Sequence, residues 1–178
     1  MRRKKQAHPK VVEAEEFRLV DKNGNARAVL EFDSDGDPHL GLFDKKGKLR
    51  ASLALHDGQS FLELLDKNEK VRAAIGLGKT GQPSVSLLNK KERDCLILQL
   101  GDKAGPGIDL YDKKGELRAS FSLFNEGTLP KLALIDKDGH RRRVVTSAAN
   151  EEIPLLVLYD KEGEACAMVD PEDEEEPV

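Results

Sequence analysis

The fold that this sequence predicts is all-β: seven tandem two-strand repeats of 22–24 residues, laid side by side as a curled antiparallel hairpin sheet. Three observations carry that prediction. An Asp-Lys or Asn-Lys pair begins at Asp21, Asp44, Asp66, Asn89, Asp112, Asp136 and Asp160, in steps of 23, 22, 23, 23, 24 and 24 residues. Apolar residues flank every pair with a spacing of two, which is the period of a strand and not of a helix. Each pair also opens a short run of turn formers.

The arm before each turn carries Leu19, Leu42, Leu64, Leu87, Leu110, Leu134 and Leu158, two residues ahead of the pair. Two residues earlier stand Phe17, Leu40, Leu62, Val85, Ile108, Leu132 and Leu156. The turn follows, with Gly24, Gly47, Gly115, Gly139 and Gly163 three residues after the acid, and Glu69 and Glu92 in that place in the third and fourth copies. Asp at the first position of a type I turn, then Gly where φ must be positive, is the chemistry of a tight hairpin. The returning arm carries Leu30, Leu53, Ile75, Leu98, Phe121, Val145 and Val169. In the second copy Leu40 and Leu42 make one arm and Leu49, Ala51, Leu53 and Leu55 the other. Copies are joined by D-G-D-P, D-G-Q-S, K-T-G-Q-P, K-A-G-P and E-G-T-L-P, which are turn formers again.

A β-solenoid is the alternative assembly. It would stack equivalent residues about 4.8 Å apart and line up columns of like charge, whereas a hairpin meander sets them about 9.6 Å apart. The hairpin sheet is favoured for that reason. A fourteen-strand sheet must curl because its strands twist, and the leucine columns are expected inside the curl as a common core. Small residues on the second face (Ser52, Ala54, Ala74, Gly76, Ser120 and Ser122) would suit a covered layer. The sixth copy breaks pattern with Arg143 and Ser147 in mostly apolar columns.

Three segments follow: a basic, mobile N-terminal tail over 1–14, the repeat domain over 15–169, and an acidic, disordered tail over 170–178. Residues 1–10 carry five positive charges and residues 170–178 six negative ones, and such ends could attract each other between copies. The whole chain of 178 residues is 35% charged, 4% aromatic and −4 overall, a balance that argues against a nucleic-acid binder. No apolar run approaches the length of a membrane span, and no signal peptide is visible, so a cytoplasmic location is expected. Two cysteines suit a reducing compartment. Cys95 and Cys166 share one column three copies apart and are expected to be free thiols.

The motif L-x-L-x-D-x-x-G-x-x-R-A-x-L, as in L-Y-D-K-K-G-E-L-R-A-S, resembles tandem β-hairpin repeats of uncharacterised bacterial proteins over residues 12–169. That resemblance implies no activity. A weaker one, at Leu110-Tyr111-Asp112 and Leu158-Tyr159-Asp160, is to the tyrosine-aspartate repeats of bacterial toxin shells, which are also hairpins.

Nothing in the sequence looks catalytic. There is no G-x-S-x-G elbow, phosphate loop, H-x-x-x-H pair or Cys pair, so no enzyme activity, cofactor or metal is expected. Asp33-Ser34-Asp35-Gly36-Asp37 alternates carboxylates but has Pro38 and Asp44 where a calcium loop needs Gly and Glu, and reads as an inter-repeat turn. The expected role is a structural or interaction module for protein partners or self-assembly. The alternative is a carbohydrate- or surface-polymer-binding module. The candidate surface is the column Arg27, Arg50, Arg72, Arg118 and Arg142, with Tyr111 and Tyr159 beside it. Cross-strand pairing with acidic turns would account for the same arginines.

Overall fold

The computed structural model describes residues 11–101, 105–124, 129–139, 141–147, 154–160, 162 and 164–169. Both charged tails, over 1–10 and 170–178, lie outside them. Every copy yields two strands. They are β1 (Phe17–Val20), β2 (Ala26–Phe32), β3 (Pro38–Phe43), β4 (Leu49–His56), β5 (Gln59–Leu65), β6 (Val71–Leu77) and β7 (Pro83–Leu88). Then come β8 (Asp94–Gly101), β9 (Gly105–Tyr111), β10 (Leu117–Phe124), β11 (Leu129–Ile135), β12 (Arg141–Ser147), β13 (Pro154–Tyr159) and β14 (Ala165–Val169). They pair antiparallel in strict chain order, β1 to β14, in one sheet that does not close. The solenoid alternative is thereby excluded, because it would pair equivalent strands of successive copies.

The hairpin turns follow one template. Gly47 N–H donates to the Asp44 carbonyl at 3.0 Å, and Asp44 N–H donates to the Lys48 carbonyl at 2.9 Å. The Asp44 carboxylate accepts the amides of Lys46 and Lys48 at 2.7 and 3.1 Å. Asp21, Asp66, Asn89, Asp112 and Asp160 repeat that double acceptance. The acid therefore does in side-chain hydrogen bonds what it does nowhere else in the motif: it locks the turn's own backbone. Gly47 takes φ +74°, as the sequence predicts, yet Glu69 and Glu92 take φ of 60° and 56° without being glycine.

A feature absent from the sequence reading recurs after every turn. Leu42 pairs with Ala51 but Phe43 with Leu49, so Arg50 is an extra residue. The same slip leaves Arg27, Arg72, Cys95, Arg118, Arg142 and Cys166 as the extra residues of their hairpins. The arginine column is a column of β-bulges. Each bulge shifts the alternation by one residue, which corrects the reading of the second copy. Leu49 does not share a face with Ala51 and Leu53; its Cδ1 lies on the other face, 3.1 Å from where a Cβ on Gly41 would sit.

Register then sorts the side chains into rows. One runs Phe17, Leu30, Leu40, Leu53, Leu62, Ile75, Val85, Leu98, Ile108, Phe121, Leu132 across β1 to β11. On the same face the neighbouring row alternates large and small: Leu19, Ala28, Leu42, Ala51, Leu64, Ala73, Leu87. The opposite face carries Arg18, Val29, Gly41, Ser52, Glu63, Ala74, Ser86, Ile97, Asp109, Ser120, Ala133.

The expected leucine core is not there. Leu42, Leu53 and Leu87 are 45%, 53% and 46% exposed. Among the described residues the buried ones are Val29, Ser52, Ala133 and Val157, and all four fall on the opposite face's row. A single layer explains this. Small residues are shaded by larger neighbours, as Gly41 is by the Phe43 ring, while a row of leucines has nothing above it. Gly76 is tighter still: a Cβ there would meet the Ser60 carbonyl oxygen at 2.9 Å.

Candidate functional site

The bulge aims each arginine back over the turn, and there its donors are used. Arg50 binds the Asp44 carboxylate of its own hairpin through Nε (2.9 Å) and Nη2, and the Asp66 carbonyl of the next turn through Nη1. Arg118 repeats the arrangement, with Nε and Nη2 on Asp112 (3.1 and 2.8 Å) and Nη1 on the Asp136 carbonyl. Partial desolvation would raise the carboxyls of Asp44 and Asp112. The turn amides and the guanidinium outweigh it and hold both down at about 2. Arg27 and Arg72 each keep a buried Nη1 without a hydrogen-bond partner. The backbone of Arg142 lies in β12 as the bulge residue, while its side chain and that of Tyr159 lie outside the described residues.

The two glutamates that replace turn glycines staple successive hairpins. Glu69 accepts Lys48 Nζ at 2.5 Å and the Leu49 amide at 3.3 Å. Glu92 accepts Lys70 Nζ at 2.6 Å and the Val71 amide at 3.3 Å. Those contacts lower both carboxyls, the side-chain bond to lysine contributing most. The sequence signal was the lysine four residues after the acid, one copy ahead of each glutamate.

Tyr111 is half-buried on the small-residue face, two residues along β9 from Asp109, and burial raises its hydroxyl pKa. Near it the same face holds a polar hollow of about 550 Å³ lined by Ser84, Gln99, Asp109, Ser120 and Ser122. Gln99 Nε2 donates to Asp109 at 3.1 Å.

Asp33 and Asp37 do form the inter-repeat turn, with Asp33 accepting the amides of Asp35 and Asp37 at 2.9 Å. His56, from the next connection, brings a ring nitrogen within 4.8 Å of both carboxylates, a convergence invisible in the spacing. Asp37 already accepts the Asp57 amide at 3.2 Å. Both cysteines are free thiols.

The largest surface feature is the leucine face, which the sequence reading placed indoors. Besides the two rows above, it carries Phe32 opposite Pro38, Leu55 opposite Ser60, Leu77 opposite Pro83, Leu100 opposite Pro106 and Leu123 opposite Pro130. Between β6 and β10 it hollows into a trough of about 640 Å³ over Ile75, Val85, Leu98, Ile108 and Phe121. The largest apolar patch on a typical soluble monomer covers roughly 300–600 Å². Eleven strands spaced about 4.8 Å apart and three rows deep cover on the order of 1,000 Å² here. Among the described residues no helix is long and apolar enough to cross a membrane. No protein-family model matches this chain, and no curated protein matches it.

Proposed function

We propose that this chain is a non-enzymatic structural and interaction module whose apolar sheet face receives a protein surface. The observation that carries the reading is the unbroken apolar face itself. Leaving it in water is unfavourable by about 25 cal/mol per Å², a cost that a partner would remove. The arginines support the reading indirectly: the donors of Arg50 and Arg118 already close turns, which leaves the leucine rows as the regular surface on offer.

Thiol accessibility tests it. In a chain carrying Cys95→Ser and Cys166→Ser, Leu53→Cys is expected to react at nearly the rate of a free thiol at micromolar dilution. Ser52→Cys, on the opposite face, should react at least tenfold more slowly. Protection of Leu53→Cys that does not change with dilution would mean the chain covers this face itself, and the reading would fall.

A polysaccharide-binding role has one observation in its favour, the hollow of Gln99, Asp109 and serines with Tyr111 on the same face. Planar polar groups beside an aromatic ring suit a sugar. A glycan array with Tyr111→Ala as control decides it. Binding that survives the substitution, or no binding at all, removes this second reading.

A further inference from the structure

We infer that the occupant of the apolar face is a second copy of this chain, packed face to face with its strand order reversed, so that β1 of one copy lies over β14 of the other. The inference rests on the interaction-module reading and names its partner.

Three observations lead there. The first is area. A compact 19.7 kDa monomer exposes roughly 8,600 Å². This chain exposes 13975 Å². Allowing residues 1–10 and 170–178 the surface of fully extended chain still leaves an excess of about 3,000 Å². A stable interface needs about 800 Å² from each partner, so the leucine face is large enough for one.

The second is shape. One row is large on odd strands and small on even ones, as in Leu42, Ala51, Leu64, Ala73, Leu87. At the other margin the order reverses, with Leu77 and Leu100 on even strands facing Pro83 and Pro106 on odd ones. The face is therefore a checkerboard of bumps and hollows with a two-strand period, about 9.6 Å. A surface with the same period, over the same width of roughly 60 Å, is another copy of the same sheet. Two such faces stacked about 10 Å apart would interdigitate as the layers of a sandwich do.

Charge selects the orientation. Face-to-face packing by a two-fold axis can run across the strands, setting β1 over β1, or along them, setting β1 over β14. The five positive charges of residues 1–10 leave from the β1 edge, and the six negative charges of residues 170–178 leave from the β14 edge. The axis along the strands brings opposite charges together at both ends and separates like ones. It also places the trough over β6–β10 against β5–β9 of the second copy.

Light scattering of the full chain should report twice 19.7 kDa. Ala73→Leu fills one hollow while keeping the face apolar, and is expected to weaken the dimer at least tenfold; Ile75→Lys should give monomer. Spin labels on the two native thiols read the axis. With the reversed order, Cys95 on β8 pairs closely with its counterpart, offset by one strand, about 5 Å, and one layer, about 10 Å. Cys166 on β14 then sits on the order of 60 Å from its own counterpart along the sheet.

A monomer at hundreds of micromolar, with Leu53→Cys still open, overturns the second copy while the interaction module stands. A dimer indifferent to both Ala73→Leu and Ile75→Lys puts the interface elsewhere and overturns it too. Monomers bound to phosphatidylcholine vesicles would replace the second copy with a lipid surface. Cys166 labels close together and Cys95 labels far apart would overturn the orientation.

Discussion

The two faces of this sheet have the same backbone and opposite logic. One carries Leu53, Ile75 and Phe121 and remains about half exposed. The other carries Val29, Ser52 and Ala133 and holds the buried residues. Hydrophobicity alone would have assigned them the other way. In a single layer, burial follows the size of a residue's neighbours, so small side chains between Phe43, Leu49 and Phe61 are covered while leucines stand up into solvent. The difference teaches that the leucine face is not this chain's core; it is half of one.

Substitutions can break that contrast, and the covered face should give the largest effect. Gly76→Val would place carbon within 2.9 Å of the Ser60 carbonyl oxygen and 3.1 Å of Phe61 Cβ. Overpacking of that kind is expected to cost about 1–3 kcal/mol in urea unfolding. On the open face, Leu87→Ala removes a side chain that is already 46% exposed, so the loss in the monomer should be near 1 kcal/mol, not the 2–5 of a core leucine. Measured where copies associate, the same variant should lose more, and the loss should grow with protein concentration.

The turn edge, which belongs to neither face, should respond next. Arg50→Ala removes a partly exposed ion pair with Asp44 and a bond to the next turn, expected to cost about 0.5–1 kcal/mol by chemical unfolding. Acid titration sharpens this. Asp44 and Asp112 are held at about 2 in the folded state, below the unfolded value near 3.9, so their contribution is present above pH 4. It is lost as pH falls from 4 toward 2, and a double Arg50→Ala, Arg118→Ala chain should lose less over that window. The smallest effect belongs to Glu69→Gly. It relieves a non-glycine φ of 60° and gives up an exposed clamp on Lys48, two terms of similar size. The net change should stay within about 0.5 kcal/mol.

Much of this was legible in the residues. The seven-fold period placed all fourteen strands, because a turn acid followed by glycine and apolar residues at spacing two admits little else. The bulges were less visible. Arg50 looks like any outward residue until register shows Phe43 paired with Leu49 and Leu42 with Ala51. The clamps of Glu69 and Glu92 were read as missing glycines, since the lysines that hold them lie one copy earlier.

By itself the sequence determined the number of strands, their antiparallel order and the turn chemistry, all set by neighbours within one repeat. It also determined which side chains share a face, except where a bulge resets the alternation. Only the tertiary structure decided which face is covered. A strand's period says that Leu53 and Ser52 point in opposite directions; it does not say which direction holds other atoms. That depends on whether the sheet closes, folds over or stays open, and fourteen strands joined end to end without closing leave the leucines facing outward.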